Sequence, residues 1–406
     1  MKIRETIRNR KEDIYAIVIL VILLILIFAP VFYIGRNSGD FGTAAARAKR
    51  LADGGQLESP HFLYQILIIV IHSIFPFIGF YSSGVIAVMI AFIVFGVVLY
   101  CYLRPSMGEG QSYSSSTITG LFVLVLMLFA PITLFTLKSR DVYFGYISPT
   151  IYHNATYNLL KPFTLILFII SFRIFNWDIN KKNKGTTFLL ISLVLLSAIT
   201  KPSYLICFLP ALGIFAIHRY FLKQKVDWKL LFFGVMIPGA IILGIQYFIT
   251  YIPGIELIDY PGSGIKFRPF YVMSHWSSWL FPKFLLSIFF PLCVYISYYK
   301  EAKQNTELSL SWLTFFFGAF YTYMFAEAKR PYHANFLWSG VTSLLILFIT
   351  SLKFFIIQVK SKYQKFVWGK LNIKAVVNMG VLGLHFICGI PWYIDFITSN
   401  PIKWLD

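Results

Sequence analysis

Charge is scarce in this chain. Of 406 residues only 13% are charged, with 17 acids against 36 Lys and Arg, while 58% are hydrophobic. With 42 Phe, 25 Tyr and a mean hydropathy of +0.70, this composition excludes a soluble domain of appreciable size. The four cysteines, Cys101, Cys207, Cys293 and Cys388, lie far apart and mostly inside apolar runs. That spacing excludes a disulfide framework and a cysteine metal cluster, and it reads as small buried hydrophobes. Several catalytic signatures are also missing. There is no glycine-rich phosphate loop on a strand–turn–helix unit, no Asp-x-Asp pair, no His-Glu-x-x-His and no Gly-x-Ser-x-Gly. The formal charge of +19 is spread over short loops between apolar runs, so it points to membrane topology and anionic lipid rather than nucleic acid.

What the chain has in quantity is apolar runs long enough to cross a bilayer, a task that takes about 20 helical residues for about 30 Å of hydrocarbon. They predict an all-α, polytopic membrane protein forming one integral domain over 1–406. About eleven spans are expected, over 14–34, 84–103, 118–137, 157–175, 186–200, 203–221, 230–250, 283–299, 310–326, 336–358 and 376–397. The basic N-terminus with its long apolar core reads as an uncleaved first span. The ambiguous segment is "FLYQILIIVIHSIFPFIGFY", 62–81, which contains His72 and is broken by Pro76 and Gly79. If it does not span, most Lys and Arg fall on the cytoplasmic side, and if it does the bias reverses. The positive-inside rule therefore makes 62–81 interfacial or re-entrant, the N-terminus cytoplasmic and the C-terminus external.

That topology gathers the polar stretches on the outer side, in loops 35–83, 138–156, 251–282 and 327–335. Asp40 stands before "FGTAAARAKRLADGG", an Ala-rich helix stopped by Gly54 and Gly55, so it reads as a helix N-cap, as a base at the membrane surface, or as both. Arg47, Lys49 and Arg50 on that helix suit lipid phosphates. His61 suits a substrate phosphate or an interfacial anchor. Tyr152, His153 and Asn154 lie in "GYISPTIYHNATYNLLKPF", where aromatics, imidazole and amide suit a sugar or an aromatic belt. The sequon at Asn154 is read as chance. Lys201 sits beside Pro202 where two spans meet, placed to snorkel or to hold an anion. Loop 251–282 offers Glu256, Asp259, Lys266 and Arg268. Finally "EAKRPYHANFLW" compresses Glu327, Lys329, Arg330, His333 and Asn335 beside the bilayer.

One acid, scattered cations and a Tyr/Trp/His/Asn rim suit glycosyl transfer from a lipid-phosphate sugar. The acceptor hydroxyl must lose a proton as it attacks the anomeric carbon, which one carboxylate can accept. The leaving group is already a phosphate, so no second carboxyl is required as acid, in contrast with glycoside hydrolysis. Cations must hold the departing charge, and Lys201, Arg268, Lys329 and Arg330 are the candidates. A donor that lives in the lipid accounts for the missing nucleotide-sugar machinery.

The order of basic N-terminus, first span, outer loop with an early Asp, short Ala-rich helix and then "SPHFLYQILIIVIHSIFPFIGF" resembles the N-terminal module of GT-C-fold glycosyltransferases, over roughly residues 14–137. The resemblance implies a GT-C-like module over 1–137 with juxtamembrane helices, and a variable transmembrane module over 138–406. It also implies a polyprenyl-phosphate-linked sugar donor, a cell-envelope glycan or lipid acceptor, and Asp40 as the catalytic acid/base residue. The proline-rich start of the juxtamembrane segment is reduced here to "SPHFLY". No second acid stands beside Asp40, which leaves a divalent cation as an optional cofactor. The alternatives are a polysaccharide polymerase or ligase using a lipid-diphosphate oligosaccharide, and a lipid or sugar transporter of the flippase kind.

Overall fold

The computed structural model describes residues 2–37, 39–107, 113–133, 145–175, 184–251, 264–363 and 372–398. The helices are α1 Lys2–Gly35, α2 Gly39–Ala52, α3 Leu63–Ile74, α4 Phe80–Leu103, α5 Tyr113–Leu128, α6 Ala155–Ser171, α7 Lys184–Thr200, α8 Ser203–Phe221, α9 Trp228–Leu231 and α10 Ile237–Tyr251. They continue with α11 Tyr271–Trp276, α12 Leu280–Ser287, α13 Phe289–Ser297, α14 Tyr299–Ala302, α15 Thr306–Met324, α16 Leu337–Tyr363 and α17 Ile373–Thr398. A π-helical turn over Phe232–Met236 joins α9 to α10 as one continuous run. Two three-residue strands, β1 Ile265–Phe267 and β2 Phe325–Glu327, pair antiparallel with Ile265 opposite Glu327.

The chain is a multi-pass, all-α membrane protein. Its solvent is legible in α1, where Leu20, Leu24 and Phe28 recur every four residues and are buried. On the other faces Val18, Ile19, Ile22, Ile25 and Leu26 are exposed yet equally apolar. A helix that is hydrophobic all round, with one stripe in protein contact, has lipid on the remainder. Helix α16 is instead the hub. Val341, Leu344 through Ile349 and Leu352 are all buried, and it packs on α15, α8, α6 and α13. Contact with α15 is close enough that a Cβ on Gly318 would lie 2.1 Å from Ser343 Oγ and 2.6 Å from the Ser339 carbonyl oxygen.

The span count differs from the sequence expectation. Seven of the described helical runs are long and apolar enough to cross a membrane, or eight if the bent pair α12–α13 is one span. That pair kinks by 63°. The break falls at Ile288, between the end of α12 and the start of α13, three residues before Pro291, which has no N–H to carry the α12 hydrogen-bond ladder onward. Helices α5 and α7 are apolar but short, and α15, interrupted by Ser, Thr, Trp and Tyr, does not reach the hydropathy of a span. The expected span 118–137 ends in residues 134–137, outside the described residues.

The ambiguous segment resolves into α3, twelve residues long. At 1.5 Å per residue this is about 18 Å, too short to cross the hydrocarbon. A turn through Pro76 then leads into α4, which starts at Phe80. One face of α3 buries Tyr64, Gln65 and Ile68, while Ile66, Val70 and Ile74, spaced by four, are exposed.

Charges at one end of the bundle are consumed by each other. Asp13 accepts from Arg104 Nε at 2.6 Å, Ser116 at 2.7 Å and Tyr100 at 2.8 Å. Glu307 accepts from Lys353 Nζ at 2.7 Å and Tyr102 at 2.7 Å, which gives the in-span Lys353 a partner. The opposite end is arranged differently.

Candidate functional site

At that opposite end the termini of α1, α2, α6, α7, α8, α10, α15 and α16 converge. Chain chemistry dictates each arrival. Pro202 has no N–H and disfavours a helical residue before it, so α7 stops. Lys201 N–H closes the last turn of α7 on Ser197 O at 2.9 Å, and Pro202 O receives Ile206 N–H at 3.1 Å to start α8. Lys201 is thereby left at a corner between two apolar helices. Helix α6 starts at Asn154, whose side-chain oxygen accepts Tyr157 N–H at 2.8 Å and the Thr156 hydroxyl at 3.0 Å. The Asn-x-Thr sequence is therefore a helix cap, with Asn154 buried.

Asp40 sits in the first turn of α2, one residue inside the helix rather than at its cap, after Gly39 with φ +51°. The cap reading is corrected to that extent, since the helix begins at Gly39. A first-turn acid still meets the positive end of the helix dipole. Its carboxylate Oδ2 accepts a short hydrogen bond from Asn154 Nδ2, and the residue is exposed. The chain of contacts continues inward. Lys201 Nζ donates to Thr156 Oγ1 at 3.4 Å and lies 4.4 Å from the centre of the Trp338 ring. Trp338 is also packed by Tyr157 at 5.6 Å and by His153, edge-on, at 6.2 Å.

Beside Lys201 opens a cavity of about 610 Å³, within the range of small-ligand sites. Its walls carry Arg47, Glu58, His61, Lys201, Gln246, Glu327 and Trp338 on a largely apolar lining from α8, α10 and α15. Glu58 is saturated by Arg50, with Arg47 at 3.4 Å, and the hydrogen bond from Arg50 holds its carboxyl below the usual range. Burial pushes the His61 imidazole down to about 3, with the neighbouring Lys201 charge adding to it, and His61 Nδ1 has no partner among the described residues. Burial likewise pushes the Lys201 ammonium down to about 8, against an upward pull from Asp40. His153 is lowered by burial, raised by Asp40 and lowered by Lys201, so these three groups share one electrostatic environment.

The inventory around Lys201 is short. No carboxylate among the described residues pairs with it. Lys201 is half-buried, its cation–π contact with Trp338 contributes about 0.5–2 kcal/mol, and its charge is open to an anion in the adjoining cavity.

The structure thus brings Asp40, His153, Asn154 and Lys201 together, and it places His61, Lys201 and Glu327 on one cavity. Asp40 itself is not on the cavity wall and reaches it through Asn154, Thr156 and Lys201. Tyr152 lies in the core against Phe28, Tyr393 and Phe396. The cluster at 327–335 is divided. Glu327 and Asn335 line the cavity, while Lys329, Arg330 and His333 are exposed and off its wall. The β2 strand ends at Glu327, and Ala334 at φ +52° turns the chain back, so the intervening residues loop away. Arg268 is also off the wall. Its guanidinium lies 4.9 Å over Tyr271, which stacks on Tyr332, which stacks on His275 at 3.7 Å. These planar groups fill one another's faces and fasten α11 to the 331–333 turn. Glu256 and Asp259 lie outside the described residues.

Sequence reasoning assigned Arg47 to lipid phosphates, whereas it lines the cavity. It missed Glu58, Gln246 and Trp338. Gln246 had a signal, being a lone amide in the apolar run "IILGIQYFIT". Its Nε2 donates to Ala198 O at 2.8 Å and Pro60 O at 3.3 Å, tying α10 to the end of α7 and to the segment before α3. No group of three or more metal-binding side chains is present among the described residues. No protein-family model, curated protein or solved structure matches this chain.

Proposed function

We propose that the chain is a GT-C-like membrane glycosyltransferase that moves a sugar from a polyprenyl-phosphate donor to a hydroxyl of an extracytoplasmic cell-envelope glycan or lipid. The observation that carries this reading is Lys201. It is an ammonium with no carboxylate partner among the described residues, beside a cavity of ligand size, linked through Thr156 and Asn154 to an exposed carboxylate.

In this reaction Asp40 takes the proton of the acceptor hydroxyl as its oxygen attacks the anomeric carbon. The bond from that carbon to the phosphate oxygen breaks, and the phosphate leaves with the electron pair. Lys201 and Arg47 hold the developing charge, and His61, neutral at physiological pH, adds a hydrogen bond. A single displacement inverts the anomeric centre. Asn154 orients the base from a capped, buried position, and the apolar walls from α8 and α10 suit the first isoprene units of the carrier. The sequence resemblance adds the same donor class and the same acid. In this reading the site faces the outside of the cell membrane.

Membranes containing the chain are to be given radiolabelled sugar as the polyprenyl monophosphate, as the nucleotide sugar, or as a lipid-diphosphate oligosaccharide. Label is expected to reach a glycan or lipid acceptor from the monophosphate alone. Transfer only from the diphosphate oligosaccharide would make the chain a polymerase or ligase. Lipid crossing the bilayer with no transfer would make it a transporter.

A further inference from the structure

The two carboxylates of the cavity differ in what is left open on them. Glu58 has its charge met by Arg50 and Arg47. Glu327 has no Lys, Arg or His within ion-pair distance among the described residues. It accepts Tyr251 Oη–H on Oε1 at 2.9 Å and Asn335 Nδ2–H on Oε2 at 2.9 Å. A carboxylate offers about four acceptor directions, so among the described residues one remains on each oxygen. The group is also held rigidly. Glu327 ends a strand paired with Ile265, its two donors come from the end of α10 and the turn before α16, and only 9% of the residue is exposed.

Lys201 lines the same cavity, yet the two form no ion pair. A ligand bound between them meets an unmatched cation on one wall and an unmatched anion on another. Resting on the glycosyltransferase reading, we propose that Glu327 binds two neighbouring hydroxyls of the donor sugar, one on each oxygen, while the phosphate lies at Lys201. Two adjacent O–H donors match the two open positions, and hydrogen bonds to a carboxylate are roughly twice as strong as neutral ones. A site built this way rejects a sugar that lacks either hydroxyl, because an acceptor in the dry wall is then left unpaired. Glu327 would therefore select the sugar, and Lys201 the phosphate.

The test uses the purified full chain and citronellyl phosphodiesters of mannose, glucose, galactose and arabinose, with citronellyl methyl phosphate as the singly charged, sugar-free control. At least one sugar probe is expected to bind at least about tenfold more tightly than the control. Removing each of two adjacent hydroxyls of that sugar in turn is expected to lose about tenfold, as a charged hydrogen bond is worth, and removing the others little. Glu327→Gln is expected to bring the affinities of sugar and control probes together, and the deoxy series on the unaltered chain gives the same answer without relying on a variant. Equal binding of all probes, or a sugar preference that survives Glu327→Gln, would overturn the role of Glu327 while leaving the phosphate site intact. Failure of the control to bind at all would overturn the phosphate site and the sugar role with it.

Discussion

The side-chain amide of Asn154 donates to the carboxylate of Asp40 while its oxygen caps α6 through Tyr157 N–H. One residue thus fixes the start of α2 against the start of α6, although 114 positions separate the pair. The two duties can be separated by substitution. Asn154→Ala should lose both, costing roughly 0.5–2 kcal/mol of stability for the cap together with a large fall in transfer rate. Asn154→Ser should restore the cap but not the reach to Asp40, so thermal stability returns and kcat does not. Equal recovery of both in the Ser variant would show that Asn154 acts on activity only through folding.

Lys201 gives the site its pH dependence. Burial holds its folded value at about 8, below its ordinary value of 10.5, so the ammonium carries its charge below pH 8 and sheds it above. Affinity for citronellyl methyl phosphate, singly charged throughout, should be flat from about pH 6 to 7. It should then fall toward about tenfold per pH unit above 8, the slope of one linked proton. In Lys201→Arg, whose guanidinium stays charged, the fall should vanish. A wild-type affinity that holds level to pH 9.5 would remove Lys201 from the anion site. His61, near 3 in the empty site, should contribute no inflection between pH 5 and 9.

Gly318 tests the hub. A methyl group there meets the Ser339 carbonyl oxygen at 2.6 Å, a backbone atom that cannot rotate away. Gly318→Ala should force α15 from α16 and cost about 1–3 kcal/mol, read as a lower unfolding midpoint in detergent. Gly380, whose added Cβ would meet nothing within 4 Å, is the control and should tolerate Ala with little change. Equal midpoints for both variants would contradict the packing described for α15 and α16.

Much of the architecture was legible because membrane helices are written as long apolar runs, and the Pro76 and Gly79 breaks in 62–81 mark where α3 stops at twelve residues. The span total was less legible. The bend at Ile288 and the shortness of α5 and α7 depend on local geometry that hydropathy averages away. Within the candidate site, Asp40, Asn154 and Lys201 were legible as candidates because each marks a helix start or a helix break, which sequence displays. Arg47 was missed because its partner Glu58 lies across a turn, and Trp338 because one more aromatic stands out poorly among 76 Phe, Tyr and Trp residues (42, 25 and 9). The cluster at 327–335 looked like one unit because sequence does not show that β2 and the Ala334 turn send Glu327 and Asn335 one way and Lys329, Arg330 and His333 another.

The most direct measurement of the central claim is the single-turnover rate of sugar transfer by Asp40→Asn, at saturating polyprenyl-phosphate sugar. A general base contributes about 10²–10⁴-fold, so the rate should fall by that range while donor affinity, set at Lys201 and Glu327, stays within about threefold. An Asp40→Asn enzyme that transfers sugar at the wild-type rate would contradict the account.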